Sequence, residues 1–286
     1  MRVVSYNIQY SKGMDGRFDL QRTCAVIRGA DLVCLQEVDQ YWHRSGDVDQ
    51  AAEISDLMPT YYYVYGASFD VDASSATVHG AVSNRRRRHG NMILSRWPIL
   101  SSRSFNLPKR HYDDKFNMQM GFIEAVVATA HGAMRVYSYH AGYLESEERQ
   151  AQVRRFAEVF ERSPREHGAW CGKSDIDGVD WHNGQPTPAM PERAIVCGDF
   201  NANIETEEYR LLLAETGLVD CWALADPEQA NVATWKSERG EDVRMWGKID
   251  HILVTPDLAP AIAGVSIDHE TEASDHKPIE LRLALA

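Results

Sequence analysis

Short apolar runs that end in polar residues recur along the whole chain. Residues 3–7, 32–37, 91–95, 122–128, 134–140, 194–198, 249–254 and 278–283 are strand-sized and rich in β-branched and other apolar residues. Several are apolar throughout, the pattern of strands covered on both faces. A helical period replaces this over 146–162, where Val153, Phe156, Ala157 and Phe160 form one stripe. Ser146 is placed to cap that helix, and Glu147 and Glu148 favour its first turn. Residues 206–213 repeat the device with Glu207 and Glu208 behind Thr206, and weaker periodicity predicts helices at 18–29 and 47–58. Segments 68–89 and 163–192 show neither period and read as long loops, which in compact domains are often functional. Crossover helices are missing between many neighbouring strands, so the order predicts an α+β sandwich of two mainly antiparallel sheets.

Composition narrows this picture. A chain of 286 residues, 44% hydrophobic, fits one large domain or two small ones. It shows no repeat and no linker, so a single domain over 1–286 is expected. No apolar run approaches the roughly 20 residues that span a bilayer, and the start, Met1-Arg2-Val3-Val4-Ser5-Tyr6-Asn7, reads as a buried strand rather than a leader. The five cysteines are odd in number and form no CxxC, and three of them lie inside apolar runs and read as reduced core thiols, so a cytoplasmic location is expected. A net charge of -12 counts against a broad nucleic-acid-binding face.

The chemistry lies where polar residues end apolar strands. Asn7, Glu37 and His140 close three runs, Asp199 and Asn201 follow a fourth, Asp250 and His251 open a fifth, and Asp275-His276 precede the last. Singly, each reads as a turn, rim or satisfied core residue. Together they gather carboxylates, amides and imidazoles at one rim, where burial requires mutual hydrogen bonds or a cation.

The sequence resembles the endonuclease/exonuclease/phosphatase superfamily, which includes pancreatic deoxyribonuclease, exonuclease III-like repair nucleases, neutral sphingomyelinases and inositol polyphosphate phosphatases. The matching blocks, in family order, are Ser5-Tyr6-Asn7, Leu35-Gln36-Glu37-Val38, Gly90-Asn91-Met92-Ile93-Leu94-Ser95-Arg96 and Ser138-Tyr139-His140. Gly198-Asp199-Phe200-Asn201, Lys248-Ile249-Asp250-His251-Ile252 and Ser274-Asp275-His276-Lys277-Pro278 complete the set. The resemblance implies a four-layer α/β/β/α sandwich and an enzyme rather than a silent binding scaffold, since no block has lost its polar residue. It implies that Glu37 holds Mg²⁺ or Mn²⁺, helped by Asn7 and by Asp275 directly or through water. His276 is then the general base, or itself contacts the scissile phosphate, with Asp250 fixing its tautomer. Asp199 orients the attacking water or protonates the leaving group, while Asn201 and His140 donate to the non-bridging oxygens. Asn91 supports the site.

His140, which the deoxyribonuclease and sphingomyelinase branches share, and the acidic balance favour a phosphodiester of a small molecule or lipid headgroup as substrate. A DNA or RNA phosphodiester is the alternative, for which Arg85-Arg86-Arg87-Arg88 would clamp phosphates unless it is a solvated charge run. Trp181, His182, Trp235 and Trp246 either line a substrate pocket or are partly buried structural residues.

Overall fold

Alternation along the first strand sets the layering. Val3 packs with residues of a second sheet, whereas Val4 and Tyr6 pack under helices. A strand buried on both faces reads as apolar throughout. The computed structural model describes residues 1–172, 181, 184–237 and 247–285. In chain order its strands are β1 (Arg2–Asn7), β2 (Leu32–Gln40), β3 (Tyr62–Asp72), β4 (Ser75–Ala76), β5 (Val82–Ser83), β6 (Arg86–Ser95) and β7 (Ile99–Asn106). They continue with β8 (Gly121–Thr129), β9 (Gly132–His140), β10 (Ala194–Asp199), β11 (Val219–Asp220), β12 (Asp250–Val254), β13 (Ile262–Ile267) and β14 (Ile279–Leu283). The helices are α1 (Leu20–Ile27), α2 (Gln50–Leu57), α3 (Ser146–Glu166), α4 (Glu207–Thr216) and α5 (Cys221–Ala225).

One six-stranded sheet has the order β13-β14-β1-β2-β6-β3, the other β11-β12-β10-β9-β8-β7. Each holds one parallel pair at its centre, β1–β2 and β9–β10, and is otherwise antiparallel. Leu32, Cys34 and Ile93 meet Ile123, Val136, Ile195 and Ile252 between the sheets. Outside the first sheet, Val33, Leu35, Met92 and Leu94 pack on Cys24 and Ile27 of α1 and on Ala51 and Ile54 of α2. Outside the second, Phe122, Tyr137, Tyr139 and Val196 pack on Val153, Phe156 and Phe160 of α3 and on Tyr209 and Leu212 of α4. These three apolar layers separate four layers of structure, the α/β/β/α sandwich. Each large side chain removed from water contributes about 1.5–3 kcal/mol.

Several local expectations are corrected. Strands β3, β7 and β13 fall where the sequence shows no clear strand, and all three are sheet edges. An edge strand keeps polar and small residues because part of it stays solvated, so the period-2 signal weakens. Segment 68–89 is no loop: β3 and β6 pair through Asp72↔Arg86, with the two-stranded β4–β5 hairpin at their tip. The arginine run is therefore largely strand. Ser146 does not cap α3; Glu145 stands at the cap without a side-chain bond, and Ser146 Oγ donates to Glu208 Oε2 at 2.8 Å. The helix also outruns its expected end, through Pro164. Pro164 has no N–H for the carbonyl of Phe160, and the buried Arg135 guanidinium fills that gap at 2.8 Å. Part of segment 163–192 lies outside the described residues.

Candidate active site

The two parallel pairs carry their C-terminal ends to one rim. Parallel register sets Asn7 beside Gln36 in the first sheet and Asp199 beside His140 in the second. The antiparallel neighbours begin where these strands end, so Asp250 pairs with Asp199. His276 lies just ahead of β14, which runs antiparallel to β1.

Glu37 reaches the rim through a backbone irregularity. Cys34 and Gln36 face the second sheet, since Cys34 sits in the inter-sheet core and Gln36 Nε2 donates to Ser138 Oγ at 2.9 Å. Simple alternation would turn Glu37 towards the helices. Instead the register with β6 slips between Leu35 and Val38, and Glu37 takes a left-handed φ of 60°. A bulge of this kind re-aims a side chain. Its backbone cost, of order 1–3 kcal/mol, is held by the surrounding sheet.

Asp199 is the hub. Its Oδ2 accepts from Asn7 Nδ2 at 3.0 Å and lies 3.6 Å from His140 Nε2 and 3.7 Å from His276 Nε2. Its Oδ1 accepts from the Asn201 backbone N–H at 2.9 Å, pinning a turn in which Asn201 is left-handed (φ 47°). Asn201 Nδ2 donates to the Ala141 carbonyl at 3.0 Å. Gly198, just before the hub, is required by close approach: a Cβ there would sit 2.0 Å from the Tyr139 carbonyl oxygen of β9. Asn7 Nδ2 also reaches Glu37 Oε1 at 3.1 Å, while its Oδ1 accepts from the Gln9 N–H. Asp250 Oδ2 meets His276 Nδ1 at 2.9 Å. Ser274 Oγ donates to the Asn7 carbonyl and accepts from the His276 N–H, locking that loop to β1. Asp275 Oδ2 accepts from Gln9 Nε2 at 3.1 Å and Trp235 Nε1 at 3.0 Å.

The two imidazoles are driven apart. Burial lowers the His140 pKa below 6.5, and Asp199 and Glu37 recover only part of the loss. Burial opposes a charge on His276 too, but Asp250 and Asp199 outweigh it and hold its pKa well above 6.5. Two imidazoles with opposite shifts in proton affinity thus flank one carboxylate.

All eight residues singled out for chemistry, Asn7, Glu37, His140, Asp199, Asn201, Asp250, Asp275 and His276, converge here. Glu37, His140, Asp199, Asn201, Asp275 and His276 line a 290 Å³ cleft whose apolar side is Met118, Met120, Tyr143, Trp235 and Ile249. Of the tryptophans, Trp235 lines it, whereas Trp181 is 80% exposed beside Trp170 and Pro186. His182 and Trp246 lie outside the described residues. A larger 740 Å³ groove by α1 and α2 is lined by titratable groups that are all exposed, among them Asp19, Glu53 and Asp56, and gathers no comparable set. Among the described residues, Asp199, Asp250 and His276 form a group whose ligand atoms lie within 4.8 Å of one another.

Sequence reasoning missed two buried polar clusters behind the rim. Asp39 accepts from Arg44 at 2.9 and 3.0 Å and contacts His89 Nδ1 at 2.8 Å, and the His89 ring lies 6.5 Å from that of His140. Asp220 binds Lys248 Nζ at 2.9 Å, His251 Nδ1 at 3.1 Å and Tyr209 Oη at 2.8 Å. A Lys and a His flanking the Ile249-Asp250 pair were the available signal for the second.

The model of the Endonuclease/Exonuclease/phosphatase family matches residues 4–276. The chain belongs to this family. Its members are hydrolytic phosphoesterases, generally dependent on a divalent metal. Solved structures show the same fold. An endonuclease/exonuclease/phosphatase from Beutenbergia cavernae is 21% identical with a TM-score of 0.67, over 99% of this chain and 71% of that one. A mannosyl-6-phosphatase from Bacteroides thetaiotaomicron is 15% identical with a TM-score of 0.66, over 99% of each chain. A 3'-5' exonuclease from Neisseria meningitidis is 21% identical with a TM-score of 0.59, again over 99% of each. No curated protein matches the sequence. No helix among the described residues is long and apolar enough to cross a membrane.

Proposed function

We propose that this family member is a divalent-metal-dependent phosphodiesterase acting on a phosphodiester of a small molecule or lipid headgroup, with residues 1–286 as one domain. The observation that carries this is Asp199 Oδ2 standing 3.6 and 3.7 Å from two imidazoles, one of them backed by Asp250. The small cleft, half apolar through Met118, Met120 and Trp235, supports a compact substrate.

The donors fit the metal. Glu37, Asp275 and Asn7 offer only oxygen and leave the protein shell incomplete, which suits Mg²⁺ or Mn²⁺. Asn7 turns its N–H₂ to Glu37, so it acts by ordering that carboxylate; ligation through its own oxygen would release the Gln9 N–H. When bound, the ion neutralises phosphate oxygens and leaves phosphorus more electrophilic. His276 acts in its neutral form: Nε2 takes the proton of the attacking water as the new P–O bond forms, and Asp250, which raises its proton affinity, stabilises the resulting imidazolium. Asp199 orients that water. His140 and the second amide hydrogen of Asn201 donate to the non-bridging oxygens as charge builds there. The bond to the leaving oxygen breaks, the alkoxide takes a proton from solvent water and departs as the alcohol, and His276 then releases its proton to solvent.

A nuclease is the second reading, favoured by the likeness to the Neisseria exonuclease. The test is turnover by metal-stripped protein with Mg²⁺ or Mn²⁺ restored, on bis(4-nitrophenyl) phosphate, glycerophosphodiesters, sphingomyelin, DNA and RNA, with His276→Ala as control. Metal-dependent cleavage of a small diester is expected. Cleavage of nucleic acid alone would replace the first reading by the second, and equal activity in His276→Ala would refute the site.

A further inference from the structure

Strand β6 does not end at the site. Asn91 Nδ2 donates to the carbonyls of Gly121 and Ser138, both 2.9 Å away, and ties β6 to the second sheet. Two residues back, His89 lies beside His140. There β8 begins and β9 ends, at Gly121 and His140, while β6 runs on, paired with β3. The register is unbroken from His89 to Arg86, and the Ala73 N–H extends the ladder by donating to the Arg85 carbonyl at 2.9 Å, so alternation places Arg87 and Arg85 on the His89 side, about 7 and 13 Å further along.

The four arginines divide by face. Arg86 and Arg88 are neutralised on the far side by Asp70, at 2.7 and 3.1 Å, and by Asp72, 3.6 Å from Arg86. On the His89 side, the Arg85 guanidinium lies 4.8 Å over the Tyr41 ring and that of Arg87 5.6 Å over Trp42. Arg87 Nε also donates to the Tyr41 carbonyl at 3.0 Å and its Nη2 lies 3.4 Å from His43 Nε2, which leaves the Nη1 side of the guanidinium outward. Among the described residues neither has a carboxylate partner within ion-pair distance. Ring faces and a carbonyl orient a guanidinium without cancelling its charge. Its remaining N–H edge is then pre-ordered for the paired oxygens of a phosphate. In a chain of net charge -12, two ordered, uncompensated cations stand one strand repeat apart beside an acidic cleft.

Building on the phosphodiesterase reading, we propose that Arg85 and Arg87 form a subsite for a second phosphate of the substrate. The preferred substrate is then a phosphodiester whose alcohol carries a further phosphate. The scissile diester lies between Glu37 and His276, and the second phosphate reaches out along β6.

The test compares two substrate pairs: glycerophosphoglycerol with its terminally phosphorylated form, and a thymidine dinucleotide with its terminally phosphorylated form. Diester cleavage is read as kcat/KM. Wild-type protein should prefer the phosphorylated member of at least one pair by on the order of tenfold or more. That ratio should fall close to one in Arg85→Gln/Arg87→Gln and persist in Arg86→Gln/Arg88→Gln. Preference confined to the glycerol pair marks a headgroup source, and preference confined to the nucleotide pair a nucleotide source; either supports the subsite. Cleavage of all four substrates at equal rates, or a preference surviving in Arg85→Gln/Arg87→Gln, would overturn the subsite and leave the phosphodiesterase standing. Cleavage of none would overturn the reading beneath it.

Discussion

Replacing Asp220 by Asn isolates the charge that buttresses the site from behind. Asp220 is buried, and burial alone would raise its pKa. Bonds and charge from His251 and Lys248 reverse this and hold it far below the usual carboxylate range. Asp220 Oδ1 also caps α5 through the Trp222 N–H at 2.8 Å, a bond the Asn side-chain oxygen can keep. What Asn removes is the countercharge of a buried Lys248. Stripping one partner from a buried ion pair costs about 3–5 kcal/mol. Burial already pushes the Lys248 pKa down, so the lysine sheds its proton rather than remain charged, which limits the cost to this range. For a chain of this size, that lowers Tm by about 5–8 °C. The sign with pH follows from the depressed pKa. Asp220 stabilises fully above the unfolded carboxylate value of about 3.9, and the contribution fades as pH falls towards the folded value. Thermal melts of wild type and Asp220→Asn should therefore differ most at pH 7, and the gap should begin to narrow below about pH 4 and close only as pH approaches the folded value. Lys248→Met in the same background should recover part of the loss, because a matched apolar pair carries no buried charge. His251 Nε2 also meets the Ala202 carbonyl at 2.8 Å, so loosening this cluster should shift Asp250 and Asn201 and lower kcat by about tenfold or more. A melt within 1 kcal/mol of wild type, or a gap that does not narrow in acid, would refute the reasoning.

Four further outcomes are expected. His276→Ala should lower kcat by about 10²–10⁴-fold in steady-state assays while far-ultraviolet circular dichroism stays native, since its bonds are to the site and not to the apolar core. Glu37→Gln should weaken Mn²⁺ binding by calorimetry by about tenfold or more and abolish the Tm gain that Mn²⁺ gives wild type. Asp39→Ala leaves the buried His89 and the part-exposed Arg44 without their shared carboxylate and should cost about 1–3 kcal/mol in urea titration. Gly198→Ala drives a Cβ into the Tyr139 carbonyl and should destabilise by more than the about 1 kcal/mol of an ordinary strand substitution, read by the same titration.

The arginine run shows why neighbouring residues were unequally legible. Arg85 to Arg88 look alike in sequence, yet strand alternation gives Arg86 and Arg88 a carboxylate partner and gives Arg85 and Arg87 aromatic ones. Only pairing with β3 assigns those faces, and β3 is an edge strand whose weak pattern hid it. Met118, Met120 and Tyr143 escaped notice for a related reason. An apolar residue outside the regular runs has no period to read, so nothing local marks it as a wall of the cleft.

The sequence by itself determined the central strands and the polar residues at their ends. Strands buried on both faces must be apolar, and a polar residue that interrupts such a run stands out. It therefore determined both sheet centres, α3 and α4, and which eight polar residues, from Asn7 to His276, gather at one rim. Tertiary structure alone decided how those residues meet. The bulge that turns Glu37 from the helices to the cleft, the register that sets Asp199 between His140 and His276, and the opposite pKa shifts of those imidazoles all depend on contacts between distant parts of the chain. Hydrophobic period records which face of a strand is buried; it carries no information about the charge waiting on the strand opposite.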